Sequence, residues 1–166
     1  PGKIMTELVA NDRIVGGRTP SSTKIVAKFL RTFVKGSVFE TNCKTAEMCK
    51  LTENSFRDVS LAFSNEISMI CEEEDINVWE LIKLANRHPR VNILQPGPGV
   101  GGHCIAVDPW FIVARDEKNS KLIQKARQIN NYKTKWAIEK IEWVAEEVRV
   151  EKQRKPQIAC LGLTFK

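Results

Sequence analysis

The longest regular pattern of apolar and polar positions runs from Thr45 to about Glu73, a stretch without Pro or Gly. Apolar residues recur there every three or four positions, at Phe56, Val59, Phe63, Ile67 and Ile70. This spacing predicts one long α-helix that turns these side chains toward the core. The opposite face is predicted to be a polar stripe, formed by Glu47, Lys50, Asn54 and Arg57.

The residues before this helix predict a strand, a helix and a second strand. DRIVGG (12–17) is a short apolar strand that ends in a glycine turn, and SVFET (37–41) is another short strand. Between them, Thr-Pro-Ser-Ser (19–22) is typical of a helix start, and apolar residues follow at four-residue intervals, at Ile25, Phe29 and Phe33. The alternation is typical of the edge of an α/β domain.

Further helices and a last strand are predicted after the long helix. DINVWELIKLANRHP (75–89) predicts a shorter helix that is capped near Asn77 and stops before Pro89. Residues 110–153 predict two or more helical stretches, one with an apolar stripe at Ile138, Ile141, Val144 and Ala145. After a polar break, QIACLGLTFK (157–166) is predicted to be a buried strand that begins a second α/β unit.

Composition narrows the class of protein. The chain has 166 residues, of which 42% are hydrophobic and 28% charged, as in globular domains. No apolar run approaches the roughly 20 residues of a membrane helix, and no charged-then-apolar leader opens the chain. Because the chain begins without Met and stops just after a predicted strand, we expect it to be a segment of a larger protein.

Charge and cysteine usage add two expectations. The net charge of +6 fits either a solvated basic surface or a pocket for an anionic ligand such as a phosphate. Nucleic acid is not favoured, because the basic residues are spread out and only one Tyr is present. Five cysteines without a C-x-x-C pair, and only two histidines, predict no metal site. Reduced cysteines favour a cytoplasmic protein.

The glycine-rich segment QPGPGVGGHCIAVDP (95–109) allows three interpretations. The glycines at positions 97, 99 and 102 satisfy G-x-G-x-x-G, but a dinucleotide-binding loop needs a strand before it and a helix after it. Pro109 stands too close for a helix of the required length, so this interpretation is not favoured. The second interpretation is a tight surface turn, and the third is a site for a reactive thiol.

Cys104 is the candidate thiol because glycines let backbone amides approach closely, and such amides favour the thiolate. If CIAVD opens a helix, Cys104 and Asp108 share one face, and Cys104 lies at the positive end of that helix. A cysteine hydrolase would need His88 or His103 against the thiol. The other cysteines are interpreted as small hydrophobic residues: Cys43, Cys49, Cys71 and Cys160.

A helix with K-x-x-x-N at Lys50 and Asn54, followed by G-x-G-G-x-C-x-x-x-D from Gly99 to Asp108, is a specific combination. On these motifs the chain resembles the UDP-glucose/GDP-mannose dehydrogenases. The similarity covers the whole chain and is densest over residues 45–111. GGHCIAVDP is similar to the branches that act on N-acetylated UDP-sugars, since UDP-glucose and GDP-mannose enzymes usually carry Ser at the position of His103.

The resemblance implies a mainly α central helical domain flanked by pieces of two Rossmann-like α/β domains. Residues 1–44 are expected to end an NAD-binding domain, residues 45–152 to form the central dimerisation and catalytic domain, and residues 153–166 to begin a UDP-sugar-binding domain. NAD is the implied cofactor and a homodimer the implied assembly. Because the glycine fingerprint of the NAD domain and most of the UDP-binding domain are missing, we expect the isolated segment to be inactive.

The family oxidises the primary alcohol of a nucleotide sugar to a carboxylate in two hydride transfers to NAD, through a cysteine thiohemiacetal and a thioester. By resemblance, Cys104 is the nucleophile and Asp108 assists proton transfer. Lys50 and Asn54 match the pair that binds the reacting oxygen and a water.

The resemblance also implies residues that bind the ligands. Arg90, or failing that Arg87, reaches the substrate in the partner subunit. The other implied positions are Gly99, Gly101, Gly102 and Lys166 for the substrate, and Gly102 and Cys104 for the cofactor.

The expected substrate is a UDP-N-acetylated sugar, with UDP-N-acetylmannosamine first and other epimers left open. Neither a nucleic acid nor a membrane is an expected partner. The alternative is a catalytically inert helical dimerisation module.

Overall fold

The computed structural model describes residues 3–100 and 103–161. Two compact units follow each other along the chain, with their boundary between Glu53 and Asn54. Helices dominate, and one two-stranded sheet contains the strands of the described residues. The predicted architecture, mainly α with a small α/β portion, is confirmed. None of the helices in the described residues is long and apolar enough to span a membrane.

The first unit is the predicted strand–helix–strand region. It contains α1 (Ile4–Ala10), β1 (Arg13–Gly17), α2 (Pro20–Leu30), β2 (Val38–Asn42) and the start of α3 (Cys43–Glu73). The strands pair in parallel, with Arg13 opposite Val38 and Gly17 opposite Asn42. A parallel pair joined by a helix is the βαβ arrangement that the sequence predicted.

The start of α2 is set by its sequence. Thr19 Oγ1 accepts the backbone N–H of Ser22 at 3.1 Å, Ser22 Oγ accepts the N–H of Thr19 at 3.1 Å, and Pro20 opens the helix. The buried positions of α2 are Thr23 and Ala27, whereas the side chain of Ile25 remains 67% exposed. Thr23 turns inward because its hydroxyl accepts the N–H of Gly17 at 2.9 Å.

The second unit contains the rest of α3, α4 (Val78–Ala85), α5 (His103–Arg115) and α6 (Lys121–Lys152). The single long helix α3 and the short helix α4 are confirmed. Asn77 Oδ1 caps α4 by accepting the backbone N–H groups of Trp79 and Glu80 at 3.0 and 3.2 Å. The helix ends at Ala85, before Pro89.

The predicted core face of α3 is wrong. Phe56 is 73% exposed and Phe63 50% exposed, and Ile70 is exposed as well. The buried side chains of α3 are mostly small or polar: Ser55, Asp58, Ala62, Ser64, Asn65, Ser68 and Cys71. This face is buried because α6 presents polar partners to it, Arg127 and Asn130, so that its polar atoms find hydrogen bonds inside the unit.

One further expectation is wrong. Pro109 does not prevent a helix after the glycine-rich segment, because it lies inside α5. Pro109 and Val113 are the buried residues of α5, and their burial offsets the cost of the hydrogen bond that a proline removes from a helix.

The strand expected at residues 157–166 lies partly outside the described residues, which end at position 161. Residues 157–161 form no strand, and Leu161 is 95% exposed.

Candidate functional site

The glycine-rich segment is held by side chains of two helices. Asn65 Oδ1 on α3 accepts the backbone N–H of Gly97 at 2.9 Å, and Thr134 Oγ1 on α6 accepts the N–H of Gly99 at 3.0 Å. Gly99 has a φ of +73°, a conformation in which a side chain would be strained. Residues 91–97 contain no strand, so the context that a dinucleotide-binding fingerprint needs is missing here.

Cys104 and Asp108 occupy one face of α5, one turn apart. The helix begins at His103, so the conditional prediction that CIAVD opens a helix is confirmed. The thiol of Cys104 is free and exposed, whereas Asp108 is half-buried. A thiol in the first turn lies near the backbone N–H groups that carry the positive end of the helix dipole.

The carboxylate of Asp108 contacts the polar stripe of α3. Asn54 Nδ2 donates a hydrogen bond to Asp108 Oδ2 at 2.5 Å, across 54 positions of sequence. This bond orients the carboxylate and leaves Oδ1 available to another group. Two of the site residues expected from the sequence, Asn54 of α3 and Asp108 of α5, are thereby brought together, and α5 also carries Cys104.

Lys50 lies in the first unit, one turn before Asn54 on the continuous helix α3. Its side chain is exposed, and its ammonium group forms an ion pair with Glu53 at 3.2 Å. An exposed pair of this kind contributes little to stability, so Lys50 can exchange this partner for another at small cost.

A buried polar network behind the site was not predicted from the sequence. Arg127 Nη1 donates to Asp58 Oδ1 at 2.6 Å, and Asn130 Nδ2 donates to the same oxygen at 2.8 Å. Asn130 Oδ1 in turn accepts from Asn65 Nδ2 at 2.9 Å. The network therefore joins α6 to α3 and ends at Asn65, which holds Gly97.

The network contains a buried charge pair. Burial raises the pKa of the Asp58 carboxyl above its ordinary value, although hydrogen bonds from Arg127 and Asn130 oppose the shift. A sequence signal for it existed. Asp58 and Asn65 lie seven residues apart on one face of α3, and Arg127 and Asn130 lie three apart on α6.

The turn after α4 carries both candidate arginines. Arg87 and Arg90 are exposed. The backbone N–H of Arg90 donates to His88 Nδ1 at 3.3 Å. The side chain of Asn86 holds the segment that follows α4. It accepts a hydrogen bond from the Ile93 N–H at 2.7 Å and donates one to the Ile93 carbonyl at 2.9 Å.

Three expected substrate positions lie outside the described residues: Gly101, Gly102 and Lys166. Within residues 3–100 and 103–161, no group of three or more His, Cys, Asp or Glu side chains could hold a metal ion.

The central-domain profile of the UDP-glucose/GDP-mannose dehydrogenase family matches residues 44–132, which include Lys50, Asn54, Arg90, Cys104 and Asp108. The chain belongs to the UDP-glucose/GDP-mannose dehydrogenase family.

Relatives within this family are similar over the whole chain. The UDP-N-acetyl-D-mannosamine dehydrogenase of Escherichia coli K12 is 54% identical over 169 residues, covering 100% of this chain and 40% of the relative. The NDP-N-acetyl-D-galactosaminuronic acid dehydrogenase of Ralstonia nicotianae is 54% identical over 166 residues, covering 100% and 38%. The chain therefore spans about 40% of the length of the curated relatives it matches.

A solved structure agrees with the fold. The UDP-D-ManNAc dehydrogenase of Pyrococcus horikoshii superposes with a TM-score of 0.84 at 44% identity, covering 90% of this chain and 36% of that chain.

Membership of the UDP-glucose/GDP-mannose dehydrogenase family implies NAD as the cofactor. The first unit has a cavity of about 370 Å³ where β1 leads into α2, lined in part by Gly17, Arg18, Thr19 and Lys24. Ligands of α/β sheets bind at this end of parallel strands. The turn lacks the G-x-G-x-x-G sequence of a dinucleotide-binding fingerprint.

Proposed function

We propose that this chain carries the catalytic centre of an NAD-dependent nucleotide-sugar dehydrogenase. The full-length protein would oxidise the primary alcohol of a UDP-N-acetylhexosamine to a carboxylate. The observation that supports this most directly is the hydrogen bond from Asn54 to Asp108, one turn beyond the exposed thiol of Cys104. It joins an amide donor of α3 to a carboxylate of α5, the helix that bears a candidate nucleophile.

UDP-N-acetylmannosamine is the substrate that we propose. The E. coli relative and the P. horikoshii structure both bear the name of a dehydrogenase for that sugar. The equally similar R. nicotianae relative is named for an N-acetylgalactosaminuronic acid, which makes the galacto epimer the competing substrate. Both names share an N-acetylated nucleotide sugar.

Cys104 would keep the aldehyde from leaving between the two oxidations. NAD would be held by the full-length protein, and two NAD molecules, bound in succession, would each take up one hydride. The Sγ atom adds to the aldehyde carbon and the carbonyl oxygen takes a proton, which gives a thiohemiacetal. Loss of a hydride from that carbon and of the proton from its oxygen leaves a thioester. Water then adds to the thioester, and the carboxylate departs as the thiol is released.

The polar groups around the thiol have separate tasks in this proposal. Asn54, and Lys50 one turn before it on α3, stabilise negative charge that develops on the reacting oxygen. Asp108, oriented by Asn54, takes up and returns the proton that moves to and from that oxygen or the attacking water.

The domain organisation belongs to the same proposal. Residues 1–44 end an NAD-binding domain, residues 45–152 form the central domain, and residues 153–166 begin the UDP-binding domain. In a homodimer, Arg90 reaches the substrate bound by the other subunit. Gly99, Gly101, Gly102 and Lys166 bind substrate, and Gly102 and Cys104 lie beside the cofactor. We place the enzyme in the cytoplasm, where its five cysteines stay reduced.

The direct test replaces Cys104 in the full-length protein. Cys104→Ala is expected to lower NADH formation with UDP-N-acetylmannosamine by about 10³-fold or more, because loss of a covalent nucleophile removes the central step. Cys43→Ala is the matched control, since Cys43 is also exposed but lies at the start of α3. Turnover by Cys104→Ala close to that of the Cys43 variant would contradict the proposal.

Alkylation gives a second readout. Iodoacetamide should modify Cys104 before Cys71, whose side chain is only 3% exposed. Peptide mass spectrometry after short exposure measures the order, and faster modification of Cys71 would count against an accessible thiol at the site.

One observation favours the alternative of a helical dimerisation module. The exposed apolar side chains of α3 and α6 are those expected of an association surface. The Cys104→Ala variant of the full-length protein separates the two, because a segment that served only for dimerisation would leave NADH formation unchanged when Cys104 is replaced.

A further inference from the structure

We propose that Thr134 is a positioning residue for Cys104, acting through the backbone N–H of Gly99. The inference rests on the proposed function, in which Cys104 is the nucleophile. The observation is that Thr134 Oγ1 accepts the N–H of Gly99 at 3.0 Å, although the two residues lie 35 positions apart in sequence. Five residues beyond Gly99, the chain reaches Cys104 in the first turn of α5.

Hydrogen bonds hold the two glycines of this segment. At Gly97 and at Gly99, apart from the glycine itself and its two chain neighbours, no heavy atom of the described residues lies within 4 Å of the point where a Cβ would stand. Glycine is also the residue with the widest choice of backbone conformations, and Gly99 adopts a positive φ. Without their hydrogen bonds, Gly97 and Gly99 would have a wider choice of backbone conformations.

The side chains that bind the two glycines lie in the buried polar network or next to it. Gly97 is held by Asn65, which is only 2% exposed and is bonded to Asn130. Asn130 lies one turn before Thr134 on α6, and Asp58 binds it from α3. The N–H of Gly97 is therefore bound by the buried network of α3 and α6, and the N–H of Gly99 by an exposed residue one turn further along α6.

The same helix α3 supplies Asn54, which bonds to Asp108 of α5. Hydrogen bonds to α3 and α6 thus hold both the carboxylate and the segment before the nucleophile. Asn54 binds Asp108, and Thr134 binds Gly99, which precedes Cys104 in the chain. Catalysis depends steeply on such alignment, since a displacement of about 1 Å can cost roughly 10²-fold in rate.

Thr134 offers a clean substitution, because it is exposed and its replacement leaves the buried network intact. In the full-length protein, Thr134→Val keeps the side-chain shape and removes the acceptor, whereas Thr134→Ser keeps the acceptor. Thr6→Val, at an exposed threonine of α1, controls for the change of side-chain chemistry.

Steady-state kinetics and hydrogen exchange are measured on each variant. We expect Thr134→Val to lower kcat by about tenfold or more while KM for UDP-N-acetylmannosamine changes less, because alignment rather than binding is lost. Hydrogen exchange of the peptide that contains Gly99 should accelerate by about two- to tenfold, the effect of losing one ordinary hydrogen bond. Thr134→Ser should restore both values, and Thr6→Val should change neither.

Thermal unfolding of each variant shows whether a loss of kcat reflects a loss of folded protein. An unchanged kcat in Thr134→Val, or a serine variant no better than the valine variant, would overturn the positioning role. If the unmodified protein forms no NADH, the proposed function fails instead. The rate of Cys104 alkylation then decides the inference. A rate altered by Val and restored by Ser supports it, and equal rates in all variants reject it.

Discussion

Asp108 illustrates what one residue contributes to the candidate site. Its carboxylate is half-buried and accepts a hydrogen bond from Asn54, so its position depends on a residue 54 positions away. Residue types and helical spacing made both residues candidates, but no local pattern states that they touch. The contact arises because α3 and α5 pack in the same unit.

Substitution of Lys50 and Asn54 tests the polar stripe. In the full-length protein, Lys50→Ala and Asn54→Leu are each expected to lower turnover by about 10²–10³-fold, as loss of an oxyanion donor does. Lys83→Ala, at an exposed lysine of α4, is the control. The measurement is kcat for NADH formation, and Lys50→Ala turning over like the Lys83 variant would remove Lys50 from the site.

Thermal unfolding supports the interpretation of the lysine variant. The ion pair of Lys50 with Glu53 is exposed on both sides, so its loss should hardly change stability. A fall in activity without a fall in melting temperature then assigns Lys50 to chemistry rather than to folding.

Helix α3 shows where pattern and packing disagree. Its length and period agree with the sequence, yet its buried face is the one with Asp58 and Asn65 rather than the one with Phe56 and Phe63. The polar face is buried because Arg127 and Asn130 of α6 satisfy it. Buried charge pairs cost desolvation, so the pairing of α3 with α6 depends on both partners being present.

Breaking that pair should destabilise the protein. Arg127→Met is expected to lower the free energy of unfolding by about 3–5 kcal/mol, because it leaves the Asp58 carboxylate buried without its cation. Arg149→Met, which breaks the exposed ion pair of α6 with Glu146, should hardly change the free energy of unfolding. Urea unfolding of the full-length protein measures both.

A double variant separates charge from packing. Asp58→Leu with Arg127→Met should cost less than the sum of the single changes, since no uncompensated charge remains. Strict additivity of the two would show that the residues are not coupled, contrary to their 2.6 Å contact.

At the scale of the whole molecule, the main feature that packing within one chain does not account for is its exposed apolar surface. Exposed large hydrophobic side chains lie along both long helices, including Phe56, Phe63 and Ile70 on α3 and Ile138, Ile141, Trp143 and Val144 on α6. Exposed apolar surface on this scale is characteristic of an interface. A two-fold contact between copies is the arrangement that homo-oligomers use most often.

Self-association is therefore predicted for the full-length protein. It should bury more than roughly 1,000 Å² of mainly apolar surface, the size expected of a specific interface. Phe63→Glu should shift the protein toward monomer in sedimentation at micromolar concentration, because it places a charge in the contact. Ile25→Glu, at an exposed apolar residue of α2, is the control. A protein that sediments only as a monomer before substitution would contradict the prediction.

The same assembly can be tested for a shared site. Mixing full-length Arg90→Ala with full-length Cys104→Ala should recover part of the activity if Arg90 serves the neighbouring subunit, since a mixed dimer then holds one intact site. No recovery from subunits shown to exchange would remove the cross-subunit role of Arg90 and leave the dimer in place.

The amino-acid sequence by itself determined the local elements. The capping box of Thr19 and Ser22 starts α2, Asn77 starts α4, and an uninterrupted helical period carries α3 to Glu73. The motif around Cys104 likewise marked the candidate site and the family. These signals act within one or two helical turns, through backbone hydrogen bonds and side-chain spacing, so they can be interpreted without knowing what lies alongside.

Only the tertiary structure decided which faces are buried and which residues meet. The hydrophobic period of α3 marks an apolar stripe, but whether that stripe faces the core of one chain depends on the partner that α6 presents. Pro109 is tolerated inside α5 because its ring is buried there. The contact of Asn54 with Asp108 and the anchoring of Gly99 by Thr134 join distant parts of the chain, and such pairings are chosen by the packing of whole helices rather than by local sequence.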